Sequence, residues 1–189
     1  MATSSTLEQY ITAPLKLALG QTLTGVFYHD VAEKQWLTTN FQGTDIIAQQ
    51  VELIFGSGLR LYCGWDTVKE WSQYSLCVSQ QSFCLEAIVF TASPDYWQQR
   101  IGKPLTSYSV YGYKESTWHT AGGSVERVHL NEPHLIVLHF DSSLVAVANY
   151  TAEEDFHPRF PFGDDVWILF EQVEIEEHIQ RLGFDKLEA

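Results

Sequence analysis

Three histidines fall close together in the second half of the chain, at positions 129, 134 and 139. Imidazole is the commonest metal ligand in proteins, so this group suggests a metal site. Strand residues an odd number of positions apart point to opposite faces, however, so His134 and His139 cannot bind the same metal ion. One of them could still meet His129 across a turn, but two ligands without a third make no site. The spacing therefore favours structural histidines, and we expect neither a metal nor a cofactor.

His29 and Asp30 suggest a second kind of chemistry, a general base and the carboxylate that orients it, and His119 lies near the matching place in the second half. Adjacent strand residues face opposite ways, which weakens this reading. The sequence also lacks a GxSxG elbow and an HExxH zinc motif. Whether the protein is an enzyme is therefore uncertain from the sequence, which favours a protein without catalytic activity.

The cysteines Cys63, Cys77 and Cys84 are odd in number and form no CxxC pair. None has a flanking basic residue that would activate a thiol, so we interpret them as small buried hydrophobes. The N-terminus lacks the charged-then-apolar layout of a signal peptide. Together these features predict a cytoplasmic protein.

Residues 153–165 form the most distinctive segment, an aromatic run punctuated by prolines and flanked by acids. Exposed aromatic side chains beside charges are typical of interaction surfaces. The alternative is that the phenylalanines fold back onto the core while the acids solvate a turn. The predicted partner-binding residues are Glu153, Glu154, Asp155, Phe156, Arg159, Phe160, Phe162, Asp164 and Asp165.

The charge balance restricts the class of partner. With 24 acidic and 11 basic residues, the chain carries a formal charge of −13. It should repel phosphate backbones and anionic membrane surfaces, and it has no glycine-rich phosphate loop. Its apolar runs are too short to cross a bilayer. A basic protein is the favoured partner, and nucleic acid and membranes are not expected.

An internal repeat indicates how these residues are positioned. Gly20, Leu23, Thr24, Trp36 and Thr38 recur 82 positions later as Gly102, Leu105, Thr106, Trp118 and Thr120. Leu53, Phe55, Ser57 and Leu59 recur 85 positions later as Leu138, Phe140, Ser142 and Leu144. The pattern predicts two tandem units, 1–92 and 93–189, packed tightly enough to make one compact domain.

Each unit is expected to open with a short helix that ends at a glycine, the first over 14–19 and the second over 94–101. Antiparallel hairpins are predicted at 51–55/59–65 and 134–140/144–150, with further strands at 22–28, 104–113, 83–90 and 166–170. An amphipathic helix over 174–182 should close the chain. The fold class is therefore α+β, with antiparallel β dominant and a pseudo-twofold relation between units.

Alternation in the two hairpins predicts which residues face the core. Leu59, Leu61, Cys63 and Trp65 are expected to share one face, and Leu144, Ala146, Ala148 and Tyr150 to occupy the same four places in the second unit. Trp36 and Trp118 are expected to be core anchors, with a ligand-cavity role as the alternative.

The layout of the second unit, a glycine-led strand followed by PHLIVLHFDSSLVAVANY and GDDVWILFE, loosely resembles small acidic bacterial proteins, some of which are similar to toxin-immunity proteins. That resemblance implies a binding protein. Two hypotheses follow from the sequence. The first is a non-catalytic, immunity- or adaptor-like module that binds a basic protein. The second is a small-molecule binding or enzymatic module with its cavity between the units.

Overall fold

The computed structural model describes residues 5–30, 38–41, 43–71, 74–84, 86–92, 94–119, 125–152 and 158–188. Only the backbone is described at 38–41, 94, 118–119, 125–127, 129, 151–152 and 158–162. Trp36 and the side chain of Trp118 lie outside these ranges, so their predicted core positions stay predictions.

The described chain is mostly strand, and its helices are few. The helical elements are a π-helical segment (Glu8–Thr12) that continues into α1 (Ala13–Ala18), the short helix α2 (Pro94–Trp97) and the C-terminal helix α3 (Gln172–Leu182). The strands are β1 (Leu23–Asp30), β2 (Thr38–Phe41), β3 (Thr44–Ile47), β4 (Gln50–Phe55), β5 (Arg60–Asp66), β6 (Ser75–Ser79), β7 (Ile88–Thr91), β8 (Leu105–His119), β9 (Val125–Phe140), β10 (Ser143–Ala152), β11 (Pro158–Leu169) and β12 (Asp185–Leu187).

The strands form two sheets. One has five strands in the order β6-β5-β4-β1-β7, and the other has seven in the order β12-β8-β9-β10-β11-β3-β2. Every strand pair among the described residues is antiparallel. The predicted α+β class, with antiparallel β dominant and a C-terminal helix, is confirmed. β2 and β3 come from the first half of the chain, but they belong to the sheet that strands of the second half form.

The core has two parts. Apolar side chains of both sheets form one cluster, the inter-sheet core, which includes Leu53 and Phe55 of β4 and Leu138 and Phe140 of β9. A second cluster, the helix-side core, lies where α3 packs on the other face of the seven-stranded sheet, and Ile175 of α3 is part of it. No helix among the described residues is long and apolar enough to cross a membrane.

The two long hairpins differ by one residue in their turns. Phe55 donates its N–H to the Leu59 carbonyl across a three-residue loop, and Leu53 lies opposite Leu61. Phe140 lies opposite Ser143 across a two-residue loop, which places Val145 opposite Leu138. A shift of one residue turns every side chain of a strand to the other face.

This difference corrects the predicted common face of the hairpins. Leu61 and Cys63 lie in the inter-sheet core, as do Val145 and Val147. Ala146, Ala148 and Tyr150 instead lie in the helix-side core, with Leu144 packed against it. The prediction was wrong because it aligned the strands after the turns without allowing for the shorter second turn.

The two halves exchange backbone hydrogen bonds beside a pair of glycines. Gly20 donates its N–H to the Leu105 carbonyl at 2.8 Å, and Gly102 donates to the Leu23 carbonyl at 2.8 Å. Leu23 in turn donates to Lys103 at 2.9 Å, and Leu105 donates to Gln21 at 3.0 Å. Both glycines have positive φ, 77° and 84°, which glycine adopts without a steric penalty.

The helices predicted over 14–19 and 174–182 are confirmed by α1 and α3, and α3 ends at Gly183 in the left-handed conformation. The helix predicted over 94–101 is shorter than expected, because α2 ends at Trp97 and turns follow it. The side chain of Arg100, just after α2, is buried and donates to the carbonyls of Tyr96, Leu144 and Phe170. The strand predicted at 83–90 begins only at Ile88. The N–H of Phe83 donates to the side-chain oxygen of Gln50 and not to a strand neighbour.

Candidate functional site

The described part of the acid-rich segment, 158–165, lies at one end of the seven-stranded sheet. Leu135 of β9 lies opposite Ala148 of β10, so residues before 135 and residues after 148 extend beyond the β9–β10 pairing at the same end of the sheet. Beyond that point, β10 and β11 continue as a pair, with Ala152 opposite Pro158. The segment therefore connects the two strands of this ribbon and forms the first part of its return strand.

The structure corrects the prediction that this whole segment is a loop, since β11 begins at Pro158. Pairing with the end of β10 makes the strand possible in spite of its prolines. Glu153, Glu154, Asp155 and Phe156 lie outside the described residues, and so do the side chains of Arg159, Phe160 and Phe162, whose backbone belongs to β11. Asp164 is exposed and Asp165 is half-buried.

Trp65 of β5 contacts the base of this segment. Its indole N–H is shared between the carbonyls of Asp164, at 2.8 Å, and Ala48, at 3.1 Å. Its ring meets Tyr74 edge-on, with 5.2 Å between centroids, and the Tyr74 carbonyl accepts a hydrogen bond from Asn149 of β10. The loop after β5 therefore links the five-stranded sheet to the end of the seven-stranded sheet that carries the acids.

A second ribbon, made of β8 and β9, projects from the same end. It starts where Gly112 lies opposite Pro133, and a side chain at Gly112 would overlap the Glu132 carbonyl. Among the described residues, β9 pairs with β10 only from Leu135 onward, so its earlier part has β8 as its sole strand neighbour. Val128 and Leu130 on this part are 47% and 60% exposed.

A groove runs beside these two exposed side chains. It has a volume of about 400 Å³ and is lined by Thr6, Lys69, Glu70, Val128 and Leu130. The buried Trp71 donates its indole N–H to the Leu130 carbonyl at 3.1 Å. The groove is thus formed by residues of both halves of the chain. The groove is not evident from the sequence because exposed apolar residues on a ribbon have the same pattern as core residues.

A polar network covers part of the outer face of the five-stranded sheet. His29 Nε2 lies 2.9 Å from Glu52 Oε2, and Arg60 donates to the other oxygen of Glu52 at 2.5 Å. The carboxylate beside His29 is therefore Glu52 on the neighbouring strand and not Asp30, which lies on the opposite face of β1. Alternation of polar Gln50 and Glu52 with apolar β4 residues is the sequence signal that identifies this network.

Gln50 fixes the tautomer of His29. The Phe83 N–H donates to Gln50 Oε1 at 2.9 Å, so Gln50 Nε2 must be the atom that faces His29 Nδ1, at 3.1 Å, and Ser82 Oγ, at 2.7 Å. His29 Nδ1 then accepts a hydrogen bond, and its proton lies on Nε2 and points at Glu52. Both ring nitrogens are engaged within the protein, which leaves neither free to act on a substrate.

Glu52 is the charged centre of this network. Burial acts to raise its pKa, but hydrogen bonds from His29 and Arg60 outweigh burial and hold the pKa below its ordinary value. Tyr62, whose hydroxyl lies 3.3 Å from Glu52, has a raised pKa because of burial and the nearby carboxylate. The arrangement is that of a structural ion pair on a sheet surface.

The other candidate groups are separated. His134 is buried against Tyr113 and Phe184, with Glu132 at 4.0 Å, while burial and Lys186 lower the pKa of the half-buried His139. The side chain of His129 lies outside the described residues. Where side chains are described, no three His, Cys, Asp or Glu residues are grouped to hold a metal ion.

The cysteines are poor nucleophiles. Cys63 and Cys77 are buried as predicted, and burial raises the pKa of Cys63 to about 12 and that of Cys77 further. Cys84 is half-buried, and burial raises its pKa as well.

Compared with known protein families, curated proteins and solved structures, the chain matches none of them.

Proposed function

We propose that this chain is a non-catalytic cytoplasmic module, adaptor- or immunity-like, that binds a basic protein through its acidic surface. The observation that carries the proposal is the position of Asp164 and Asp165, the described acids of the segment, at the same end of the seven-stranded sheet as exposed Val128 and Leu130. Protein interfaces combine an apolar centre with a charged rim, and charge complementarity speeds and orients the encounter.

The state of the candidate catalytic groups supports a binding role. His29 has both ring nitrogens engaged by Gln50 and Glu52, and the thiols of Cys63 and Cys77 are buried with raised pKa values. A general base needs a free nitrogen and a nucleophilic cysteine needs a thiolate. Neither requirement is met by these groups.

The test is affinity enrichment with two baits, the natural chain and a variant in which Glu153, Glu154, Asp155, Asp164 and Asp165 are changed to amides. We expect basic proteins to be enriched by the natural bait and lost from the variant, with an association rate that falls as salt rises. Equal enrichment by both baits, or an association rate unaffected by salt, would contradict the proposal.

The groove favours a second candidate function, a small-molecule binding or enzymatic module with its site between the halves. Its volume of about 400 Å³ lies in the usual range for ligand pockets, and its lining comes from both halves. A library of apolar fragments can be screened by ligand-observed NMR against the natural chain and Leu130→Lys. Saturable binding that is lost in Leu130→Lys would favour this function. Binding that is unchanged in the variant would exclude the groove as the ligand-binding site.

We also propose that the two halves arose by duplication of one unit, with a pseudo-twofold relation between 1–92 and 93–189. The reciprocal bonds of Gly20 and Gly102 support this, since donors and acceptors are both related by 82 positions. The register supports it too, because Leu23 lies opposite Phe55 and Leu105 lies opposite Phe140. Two four-strand meanders, β1-β4-β5-β6 and β8-β9-β10-β11, would be the repeated unit.

A further inference from the structure

We propose that protonation of His29 releases residues 80–84, which follow β6, from the five-stranded sheet. We call these residues the latch segment. The inference goes beyond the proposed function and does not depend on it, because it rests only on the hydrogen bonds and charged groups around His29.

Gln50 holds the latch segment on the sheet. Gln50 is fully buried, its Oε1 accepts the N–H of Phe83 at 2.9 Å, and its Nε2 donates to Ser82 Oγ at 2.7 Å. The Ser82 hydroxyl in turn donates to the carbonyl of Cys84 at 2.6 Å. The hydrogen bonds of the latch segment therefore depend on which way the Gln50 amide is turned.

His29 determines the orientation of that amide. Gln50 Nε2 also faces His29 Nδ1 at 3.1 Å, and an amide NH₂ group offers only donors, so Nδ1 must be unprotonated. A protonated imidazole carries an N–H on both of its nitrogens. Protonation of His29 would therefore set two donors against each other beside a fully buried side chain.

Rotation of the Gln50 amide removes this conflict but breaks the bonds of the latch segment. The rotated amide would present its oxygen to His29 and Ser82, and its NH₂ group to the N–H of Phe83. Phe83 would then lose its acceptor, and Ser82 would have to donate to Gln50 in place of the Cys84 carbonyl. Because a buried donor without an acceptor is costly, we expect the latch segment to separate from Gln50.

Two ionised groups influence the charge on His29. Glu52 of β4 lies 2.9 Å from His29 Nε2. Burial acts to raise the pKa of Glu52, but hydrogen bonds from His29 and Arg60 outweigh burial and hold that pKa below its ordinary value. Glu52 is therefore a carboxylate over the range in which histidine titrates, and it attracts a proton to the ring. Arg60 of β5 donates to the other oxygen of Glu52 at 2.5 Å and opposes that charge from across the carboxylate.

The other described groups around the ring are neutral. Tyr62 of β5 meets His29 edge-on, with 5.8 Å between centroids, and burial and the Glu52 carboxylate raise the pKa of its hydroxyl. On β7 the residue opposite His29 is Val89. The latch segment brings the thiol of Cys84, whose pKa is raised by burial. We therefore assign the pH response of the latch segment to His29.

The test is NMR of the full chain between about pH 8 and about pH 5.5, a range in which histidine titrates and ordinary carboxylates do not. Ring ¹⁵N shifts report the protonation of His29, and hydrogen exchange reports the protection factor of the Phe83 amide. We expect that protection factor to fall roughly tenfold or more as His29 is protonated. The amide of Ala92, which donates to Val26 in the same sheet at 3.1 Å, is the internal control and should keep its protection.

Two variants test the mechanism. His29→Phe removes the titrating nitrogens, so the protection factor of Phe83 should no longer depend on pH. Gln50→Glu places an acceptor oxygen opposite Nδ1 and keeps one for Phe83, so protection should instead rise as His29 is protonated. His139→Phe is the matched control, because His139 is a half-buried histidine on a strand of the other sheet, and it should keep the response of the natural chain.

Several outcomes would overturn the inference. One is constant protection of Phe83 while His29 gains its proton, and another is a His29 that stays unprotonated down to about pH 5.5. An equal loss of protection at Ala92 would mean that the sheet opens as a whole. A fall in His29→Phe that matches the natural chain, or a fall in Gln50→Glu, would also contradict the mechanism. If Gln50→Glu does not fold, His29→Phe and its control decide the outcome.

Discussion

Gly20 donates its backbone N–H to the carbonyl of Leu105 at 2.8 Å. The bond joins a turn residue two positions after α1 to the first residue of β8, so it connects the two halves of the chain. Gly102 makes the corresponding bond to Leu23, the first residue of β1. These contacts lead to the first prediction.

Gly20→Ala and Gly102→Ala should each lower the free energy of unfolding by about 1–2 kcal/mol, and by similar amounts. Both residues have positive φ and open space where a Cβ would lie, so backbone strain is the cause in each case. Urea denaturation measures the change. Gly56→Ala is the control, since its Cβ would make only ordinary contacts and its φ is not positive, and clearly unequal costs would count against equivalent positions.

Tyr28→Phe should destabilise the fold by about 2–4 kcal/mol, because two buried partners lose their hydrogen bonds. The Tyr28 hydroxyl donates to Asp45 of the other sheet and accepts from Trp97, both at 2.6 Å. Tyr108→Phe is the matched control, with a single 3.4 Å contact to Thr12, and should cost under about 1 kcal/mol in the same denaturation experiment. Equal losses in the two variants would mean that the two buried hydrogen bonds of Tyr28 contribute no more to the free energy of unfolding than the single contact of Tyr108.

Glu52 should make the protein sensitive to acid. Its pKa is lower in the folded state than the ordinary value of 4.5, so its contribution to stability is present above that value and is lost as the pH falls through the folded-state pKa. Urea midpoints measured from neutral pH down to about pH 3 should fall less steeply for Glu52→Gln than for the natural chain. Parallel curves would show that Glu52 is not the group responsible.

Changing Glu153, Glu154, Asp155, Asp164 and Asp165 to amides should leave the melting temperature unchanged or raise it slightly. Like charges within one short segment repel one another, and removing them relieves that repulsion. Scanning calorimetry measures the effect. A sharp fall in the melting temperature would mean that these carboxylates pair inside the fold, and the segment would no longer be the favoured binding site.

Much of the architecture was predictable because strand and helix periods are properties of the sequence alone. The β4–β5 hairpin and α3 follow from alternation and from a helical stripe that ends at glycine. The set of β10 side chains that faces the inter-sheet core was not predictable in this way. It depends on whether two or three residues lie between Phe140 and its cross-strand partner, and a single residue reverses every side chain after it.

The candidate site was predictable only in part. The acid-rich segment is evident from composition, but the pairing of β11 from Pro158 is a tertiary contact with β10. The partner of His29 comes from the next strand of the sheet, Glu52, and cross-strand neighbours depend on register. The groove beside Leu130 depends on how the 69–70 turn and the N-terminal helix meet the ribbon.

The exchange of hydrogen bonds at Gly20, Leu23, Gly102 and Leu105 bears on how the molecule unfolds. Each half supplies carbonyls that the backbone of the other half needs, so loss of one half would leave donors of the other unpaired. The two halves should therefore melt together in a single cooperative step. The amide protons at this junction should then exchange with solvent only when the whole chain opens.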